Sequence, residues 1–294
     1  MKDEKKQRLI LLDTNAFFSL PTKHLNRELS ISPYVFYERI RYIDQDWEKF
    51  KRVEVPKFRK VNILQDPEFI LDALVTGKSD PHYGSDSERI NLICDVLMDA
   101  KNIEGLNDCV IEESNGVCRR IGDIPTRTEN TLSIRKAKFV RCLSQKIYSH
   151  CNNTRGFSDF ENVMSLLLGR FKQTFPKTEK LSEIPESFID QSFLYFSTIY
   201  FMTQQKNQEP QETKNDLNDY IDSLLPLHMR LNENNTLVTD DKSLGNALHD
   251  SFSLARENGL PIIKCQIYTK KEFLEHLSAY SIEQNRVNCT YSYG

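Results

Sequence analysis

The sequence has 294 residues, of which 39% are hydrophobic and 28% charged, and its net charge at pH 7 is −3. This composition is typical of a globular protein and excludes wholesale disorder. No apolar run approaches the roughly 20 residues that a transmembrane helix needs, and the charged first ten residues do not resemble a signal peptide. We therefore expect a cytoplasmic protein that does not bind a membrane.

The spacing of cysteines and histidines excludes several further classes of protein. The seven cysteines form no CxxC pair, so neither a zinc ribbon nor a disulfide framework is indicated. We expect reduced thiols, most of them packed as small apolar side chains. The six histidines form no HxxxH or HExxH pair, which excludes the common helical zinc-hydrolase motif.

The N-terminal region predicts two strands and a helix. Residues 8–13, RLILLD, are a continuous apolar run that ends in Asp13, and this pattern is typical of a strand buried on both faces. The Ser-Pro pair at 32–33 predicts the start of a helix over 34–50, with serine as its cap and proline in its first turn. Residues 61–64 predict a further strand.

The middle of the chain is mainly helical by pattern, and strands return near its end. In the middle, the predicted helices cover 68–76, 86–104, 131–149, 158–174 and 186–205, with polar loops at 77–85 and 112–130. Further along, helices are predicted at 216–230, 243–257 and 270–277, and strands at 237–239 and 262–268.

Strand and helix alternate at both ends of the chain, which predicts an α/β fold with a parallel central sheet flanked by helices. We expect the strands from both ends to share one sheet. The predicted organisation is a discontinuous α/β core (1–64 and 211–280), a mainly helical insertion (65–210) and a loose tail (281–294).

Four carboxylates are candidates for a shared site. Asp13 and Asp241 each follow a predicted strand, so they project from the carboxyl edge of the sheet, where open α/β folds place their ligands. Glu38 and Asp219 lie on predicted helices that can face the same crevice. Carboxylates that converge in this way raise one another's pKa unless a cation neutralises them. A hard divalent ion with oxygen ligands, Mg²⁺ or Mn²⁺, is indicated, and the natural chemistry is attack of metal-activated water on a phosphodiester.

These motifs occur in an order that resembles PIN-domain nucleases. Residues 11–15, LLDTN, look like the family's opening hydrophobic strand followed by D-[TS]-[NS], and 31–38 resembles its Ser-started helix that carries a glutamate. Residues 215–224 resemble the helix with the third acid, and 237–244 is similar to the hydrophobic-T-x-D block. The resemblance implies a Rossmann-like sheet, a divalent-metal site and endonuclease action, most often on RNA. It does not extend to the middle of the chain.

In two of these motifs the resemblance indicates which of several nearby aspartates is the site acid. Asp216 and Asp219 share a helix face with Asp222, and the interval to the T-x-D block favours Asp219 as the third acid, with Asp216 as the alternative. Asp240 and Asp241 are neighbours that should point in different directions, and the T-x-D frame selects Asp241.

Asn15 and Thr239 are polar residues placed to orient carboxylates or a metal-bound water. A local turn or cap hydrogen bond is the alternative role for each.

The insertion contains a basic stretch with no acidic residue from 130 to 158. Interleaved aromatic residues would let such a stretch hold single-stranded nucleic acid by phosphate contacts and base stacking, although a solvated helix face is the alternative. The candidate nucleic-acid-binding residues are Arg135, Lys136, Lys138, Arg141 and Lys146. A second basic cluster covers 49–60.

The sequence thus predicts a metal-dependent endonuclease that hydrolyses single-stranded or structured RNA. A structure-specific DNA nuclease is one alternative, and a non-catalytic PIN module that binds RNA or a protein is another. A protein partner or a homo-oligomer is compatible with each of these functions.

Overall fold

The computed structural model describes residues 9–67, 86–114, 116–142, 217–229, 234–257 and 264–277. The helices predicted at 68–76, 158–174 and 186–205 and the tail at 281–294 lie outside these residues.

The described residues contain a sheet of five strands, all parallel, in the order β3-β2-β1-β6-β7. The strands are β1 (Ile10–Leu12), β2 (Leu29–Ile31), β3 (Asn62–Ile63), β6 (Asn234–Val238) and β7 (Lys264–Tyr268). A separate antiparallel hairpin consists of β4 (Val110–Glu112) and β5 (Cys118–Arg120). The expected α/β architecture with a parallel central sheet is confirmed, and strands from both ends of the chain lie side by side in it.

Helices flank this sheet. They are α1 (Thr14–Ser19), α2 (Pro33–Ile40), α3 (47–58, with a π-helical stretch Phe50–Glu54), α4 (Asp86–Asp99), α5 (Ile103–Asn107), α6 (Ile124–Cys142), α7 (Leu217–Leu224), α8 (Lys242–Glu257) and α9 (270–277). Ser32 caps α2 through a hydrogen bond from the Tyr34 N–H at 3.4 Å, and proline occupies the first turn, as the sequence predicts.

The predicted strands at 8–13, 61–64, 237–239 and 262–268 are confirmed as β1, β3, β6 and β7. Strand β2 was not predicted, because three residues are too few to show a hydrophobic period. Leu29, Ser30 and Ile31 are nevertheless all buried.

Two expectations in the middle of the chain are wrong. The single helix predicted at 86–104 is two helices, because Asn102 is extended and its side chain accepts a hydrogen bond from the Gly105 N–H at 2.8 Å, which starts α5. The polar loop predicted at 112–130 contains half of the β4–β5 hairpin, whose turn includes Gly116 at a φ of 78°. Helix α6 then begins at Ile124, earlier than the predicted 131.

Two predicted helices also end early. The helix expected over 34–50 stops at Ile40, where the chain tightens so that the Tyr42 N–H donates to the Arg39 carbonyl at 3.1 Å, and helix resumes at Trp47. The helix expected over 216–230 ends at Leu224 and continues as a short 3₁₀ turn, Leu225–His228, that contains Pro226.

An aromatic cluster packs the first three helices together. The Phe58 ring lies 4.9 Å from that of Phe17 and 5.0 Å from that of Phe36, measured between ring centroids. Phe50 joins them, and all four side chains are fully buried. Because Phe36 is on α2, this cluster fixes the helix that carries Glu38.

A buried polar network joins α2 to α4 and to the β4–β5 hairpin. The Tyr37 hydroxyl donates to Asp86 at 3.1 Å, and Arg89 donates to the Tyr37 oxygen at 3.1 Å. Arg89 also binds Glu113 with two hydrogen bonds, of 2.7 and 3.1 Å, and Arg119 contacts the same carboxylate. The two guanidinium groups lower the pKa of Glu113 against the effect of burial. Residues 86–120 are therefore attached to α2 by charges that have little access to water.

Substitution of Arg89 should be costly. In Arg89→Met, Glu113 and Asp86 lose a cationic partner while remaining buried, so we expect the free energy of unfolding to fall by about 3–5 kcal/mol in urea titrations. Arg127→Met removes an exposed ion pair with Asp123 and should change it by no more than about 0.5 kcal/mol. Equal effects of the two substitutions would contradict the importance of the network.

His228 is a buried histidine whose Nε2 has no hydrogen-bond partner among the described residues. Burial lowers its pKa to about 3. An unfolded chain takes up a proton here below about pH 6.5 whereas the folded chain does not, so folding stability is lost as the pH falls through this window.

The pH dependence of stability should therefore change in His228→Phe. Between pH 7 and pH 5 the wild-type chain loses about 2 kcal/mol through this group, and the variant should not show that part of the loss. Chemical denaturation at several pH values measures it. His249→Asn, at an exposed position, is the control and should retain the wild-type dependence. An unchanged dependence in His228→Phe would be inconsistent with a neutral buried imidazole.

Candidate functional site

The candidate site lies at the carboxyl ends of β1 and β6. These two strands are neighbours, and the strand order reverses between them, since β2 and β3 continue on one side and β7 on the other. The Asp13 N–H donates to the Val238 carbonyl at 3.1 Å, which extends the pairing one residue beyond the strands. Asp13 and Thr239 are thereby placed side by side at a point where open α/β sheets bind ligands.

Asp13 is 3% exposed and serves as the N-cap of α1. Its Oδ1 accepts a hydrogen bond from the Ala16 N–H at 2.6 Å, and its Oδ2 accepts one from the Thr239 hydroxyl. No described lysine, arginine or histidine forms an ion pair with it. Burial raises the pKa of Asp13 to about 6, and the nearby charges of Asp240 and Asp241 add to the increase.

Thr239 connects Asp13 to Asp241. Its hydroxyl oxygen accepts a hydrogen bond from the Asp241 N–H at 3.0 Å while the hydroxyl proton is directed at Asp13. The Asp241 Oδ1 in turn accepts from the N–H groups of Ser243 (2.7 Å) and Leu244 (3.1 Å), so Asp241 caps α8. Among the described residues, nothing donates to the Asp241 Oδ2.

Glu38 approaches the site from α2. Its Oε2 accepts a hydrogen bond from the Thr14 hydroxyl at 2.8 Å, and Thr14 directly follows Asp13. Burial raises the pKa of Glu38, while Thr14 and the charge of Arg41 oppose that increase. A chain of contacts therefore runs from Glu38 to Asp241, through residue 14 and its neighbour Asp13, and then through Thr239.

Thr14 was not identified from the sequence as a site residue. The signal was present, because Thr14 is the middle residue of the D-T-N motif and the first residue of a helix capped by Asp13. Asn15, which was expected to orient a carboxylate or a water, is exposed, and its side chain makes no hydrogen bond to a described residue.

Asp240 and Asp241 differ as expected for neighbouring residues. Asp240 is exposed, accepts a hydrogen bond from the Lys270 N–H at 2.9 Å and lies 3.9 Å from the Lys270 ammonium group. Asp241 is directed to α8. Lys270 therefore partly neutralises the carboxylate that the T-x-D frame does not select.

Several expected site residues cannot be placed at this edge. Asp219 lies on α7, but its side chain is not described, and Asp216 and Lys146 are outside the described residues. The basic residues Arg135, Lys136, Lys138 and Arg141 lie on α6, and their side chains are likewise not described.

The second basic cluster, 49–60, contains residues with structural partners. Lys57 is buried, and its ammonium group donates to the carbonyl oxygens of Phe18 (2.6 Å) and Leu20 (2.9 Å), at the end of α1. Burial lowers the pKa of Lys57. Arg59 contacts Asp95. Lys57 is thus committed to the fold, whereas Arg59 forms an ion pair with Asp95 at the protein surface.

The donor chemistry of the site suits a hard divalent cation. Asp13, Glu38 and Asp241 supply carboxylate oxygens, and each carboxylate oxygen can accept more than one bond. Among the side chains that the structure describes, however, no three from Asp, Glu, His and Cys converge on a point that could hold a metal ion. Two of the acids are directed at the helix N-termini that they cap.

Comparison of the chain with protein-family models, with curated proteins and with solved structures finds no match. Across the described residues, no helix is long and apolar enough to cross a membrane.

Loss of the Thr239 hydroxyl should destabilise the protein. In Thr239→Val, the buried Asp13 carboxylate loses a donor and the Asp241 N–H loses an acceptor, so the free energy of unfolding should fall by about 1–3 kcal/mol. Thr239→Ser retains the hydroxyl and should recover most of that loss. Urea denaturation of both variants at neutral pH provides the measurement, and equal stability of the two would show that the hydroxyl contributes nothing.

Proposed function

We propose that this chain is a PIN-type nuclease that hydrolyses the phosphodiester bonds of single-stranded or structured RNA with the aid of Mg²⁺ or Mn²⁺. The observation that carries the proposal is the hydrogen-bonded arrangement of Asp13, Thr239 and Asp241 at the ends of two adjacent parallel strands. Glu38 is attached to it through Thr14.

The topology of the sheet supports this proposal. Numbered by their order within the sheet-forming part of the chain, the strands run 3-2-1-4-5, and such an order has its switch point between the first and fourth strands. Asp13 follows the first of these strands and Asp241 follows the fourth. A Rossmann-like PIN fold would have its acids at that point.

The electrostatics of the site also support a bound cation. Asp13 is buried near two other carboxylates, and its raised pKa reflects the free-energy cost of ionising it there. Asp13, Glu38 and Asp241 are the proposed ligands of the ion, with Asp219 as the predicted fourth. Because the described acids do not converge on one point, binding of the ion would have to draw their carboxylates together. A bound ion of this kind would lower the pKa of a water and neutralise charge on the phosphate.

The hydroxyl groups of the chain would orient these ligands. Thr239 fixes one oxygen of Asp13 by hydrogen bonding, and Thr14 fixes one oxygen of Glu38. Each carboxylate therefore has a defined rotation about its terminal bond before any ligand binds. Such outer contacts orient the direct ligands of a metal ion in many enzymes.

Purified protein should cleave labelled RNA in the presence of manganese or magnesium but not in EDTA. The double variant Asp13→Asn and Asp241→Asn should lose cleavage, because both substitutions remove negative charge from the site. Asp240→Asn should retain most of the activity, since Asp240 is directed to Lys270. Single-stranded DNA and flap-containing DNA assayed in parallel identify the preferred substrate.

Thermal unfolding provides a second readout that does not depend on choosing the right substrate. Manganese at a hundred times its dissociation constant should stabilise the wild-type protein by about 2.7 kcal/mol, and the melting temperature should rise by several degrees. The double variant should show no such increase. Asp99→Asn, which alters an exposed carboxylate outside the site, is the control and should behave as wild type.

The outcomes separate the candidate functions. Cleavage that the double variant lacks supports the nuclease. RNA binding without cleavage or metal stabilisation supports a non-catalytic module. The absence of both RNA binding and metal stabilisation would overturn the proposal.

A further inference from the structure

Arg41 differs from the other arginines whose side chains are described. Its Nε is buried without a hydrogen-bond partner, and no described carboxylate forms an ion pair with its guanidinium group. The others bond to a carboxylate or to a carbonyl oxygen: Arg27, Arg39, Arg52, Arg59, Arg89, Arg119, Arg120 and Arg127. Arg41 therefore has unused donors, whereas each of the other arginines with a described side chain has a partner.

Arg41 lies beside the candidate site. It is the C-cap residue of α2 and follows Glu38 by three positions, a spacing that brings two side chains to the same face of a helix. Its charge favours the ionised form of Glu38, so the two groups interact through space without forming an ion pair.

The neighbouring Tyr42 holds the Arg41 guanidinium group in position. The guanidinium carbon lies 5.5 Å from the centroid of the Tyr42 ring, within the range of a cation–π interaction. Tyr42 is 42% exposed and Arg41 is half-buried, so the pair lies at the edge of the protein surface. The interaction limits the motion of the guanidinium group, whose two terminal NH₂ groups form no hydrogen bond with a described residue.

We infer that Arg41 binds a phosphate group of a single nucleic-acid strand at the rim of the site, an inference that rests on the proposed function. The carboxylates of the site repel a polyanion, so a strand needs a cation beside them as well as any metal ion. A guanidinium group binds phosphate through paired N–H donors and cannot lose its charge at physiological pH.

Binding can be measured without cleavage in the Asp241→Asn background. The anisotropy of short labelled single-stranded RNA and DNA, recorded with magnesium over a range of salt concentrations, gives both the affinity and its salt dependence. Adding Arg41→Met should weaken binding about tenfold, as expected for the loss of one charged hydrogen-bonded contact. The slope of log affinity against log salt should decrease in magnitude by about 0.7, which corresponds to one phosphate contact.

Two further variants keep the test specific. Arg127→Met removes an exposed guanidinium elsewhere and should change neither affinity nor slope. Arg41→Lys retains the charge without the paired donors, so it should keep the slope and bind more weakly than the background. If Arg41→Met does not fold, as judged by thermal unfolding, Arg41→Lys and Tyr42→Leu carry the test, and each should weaken binding. Arg41 variants that match Arg127→Met would overturn the inference.

Failure of this inference is distinguishable from failure of the proposed function. If the wild-type protein cleaves RNA and the Arg41 variants bind and cleave normally, only the role of Arg41 is wrong. If Arg41→Met weakens binding but no metal-dependent cleavage occurs, Arg41 binds the strand and the nuclease activity is wrong. Absence of both cleavage and nucleic-acid binding in the wild-type chain overturns both.

Discussion

The pairing of β1 with β6 is the interaction on which the candidate site depends. Strand β1 has only three residues, and the ladder is extended at both ends by loop contacts, from the Thr236 N–H to the Leu9 carbonyl and from the Asp13 N–H to that of Val238. This register brings the Thr239 hydroxyl to the Asp13 carboxylate. A slip of one residue would turn alternate side chains to the opposite face of the sheet and separate the two.

The site acids also stabilise the fold. Asp13 caps α1 and Asp241 caps α8, and a carboxylate at a helix N-terminus interacts favourably with the helix dipole. Lys57 binds carbonyl oxygens at the other end of α1, so charges of opposite sign hold both ends of that short helix. Substituting one of these aspartates therefore changes stability as well as charge. Asparagine is a more informative replacement than alanine, because it retains an oxygen that can accept the capping hydrogen bond.

The sequence predicts those elements of the structure that have a long apolar run or a long hydrophobic period, and those strands that end in an acidic residue. Strand β1 and its Asp13 are recognisable because the apolar run is continuous and ends in a carboxylate. Strand β2 is not recognisable, because three residues are too few to show a hydrophobic period. The hairpin has a sequence signal, the Asn115-Gly116 dipeptide, but its strands are short and largely exposed. The unpaired state of Arg41 has no sequence signal, because it depends on where every neighbouring carboxylate lies in three dimensions.

The separation of Asp13 from Thr239 along the chain, 226 residues, has a consequence for biosynthesis. While a ribosome is still translating the intervening residues, β1 can pair with β2, and β2 with β3, but the other edge of β1 has no partner. Open strand edges can pair with other chains, so this edge is exposed to non-native pairing until β6 has been made. The two carboxylate-bearing segments meet only after β6 has emerged from the exit tunnel, so the candidate site forms late in synthesis.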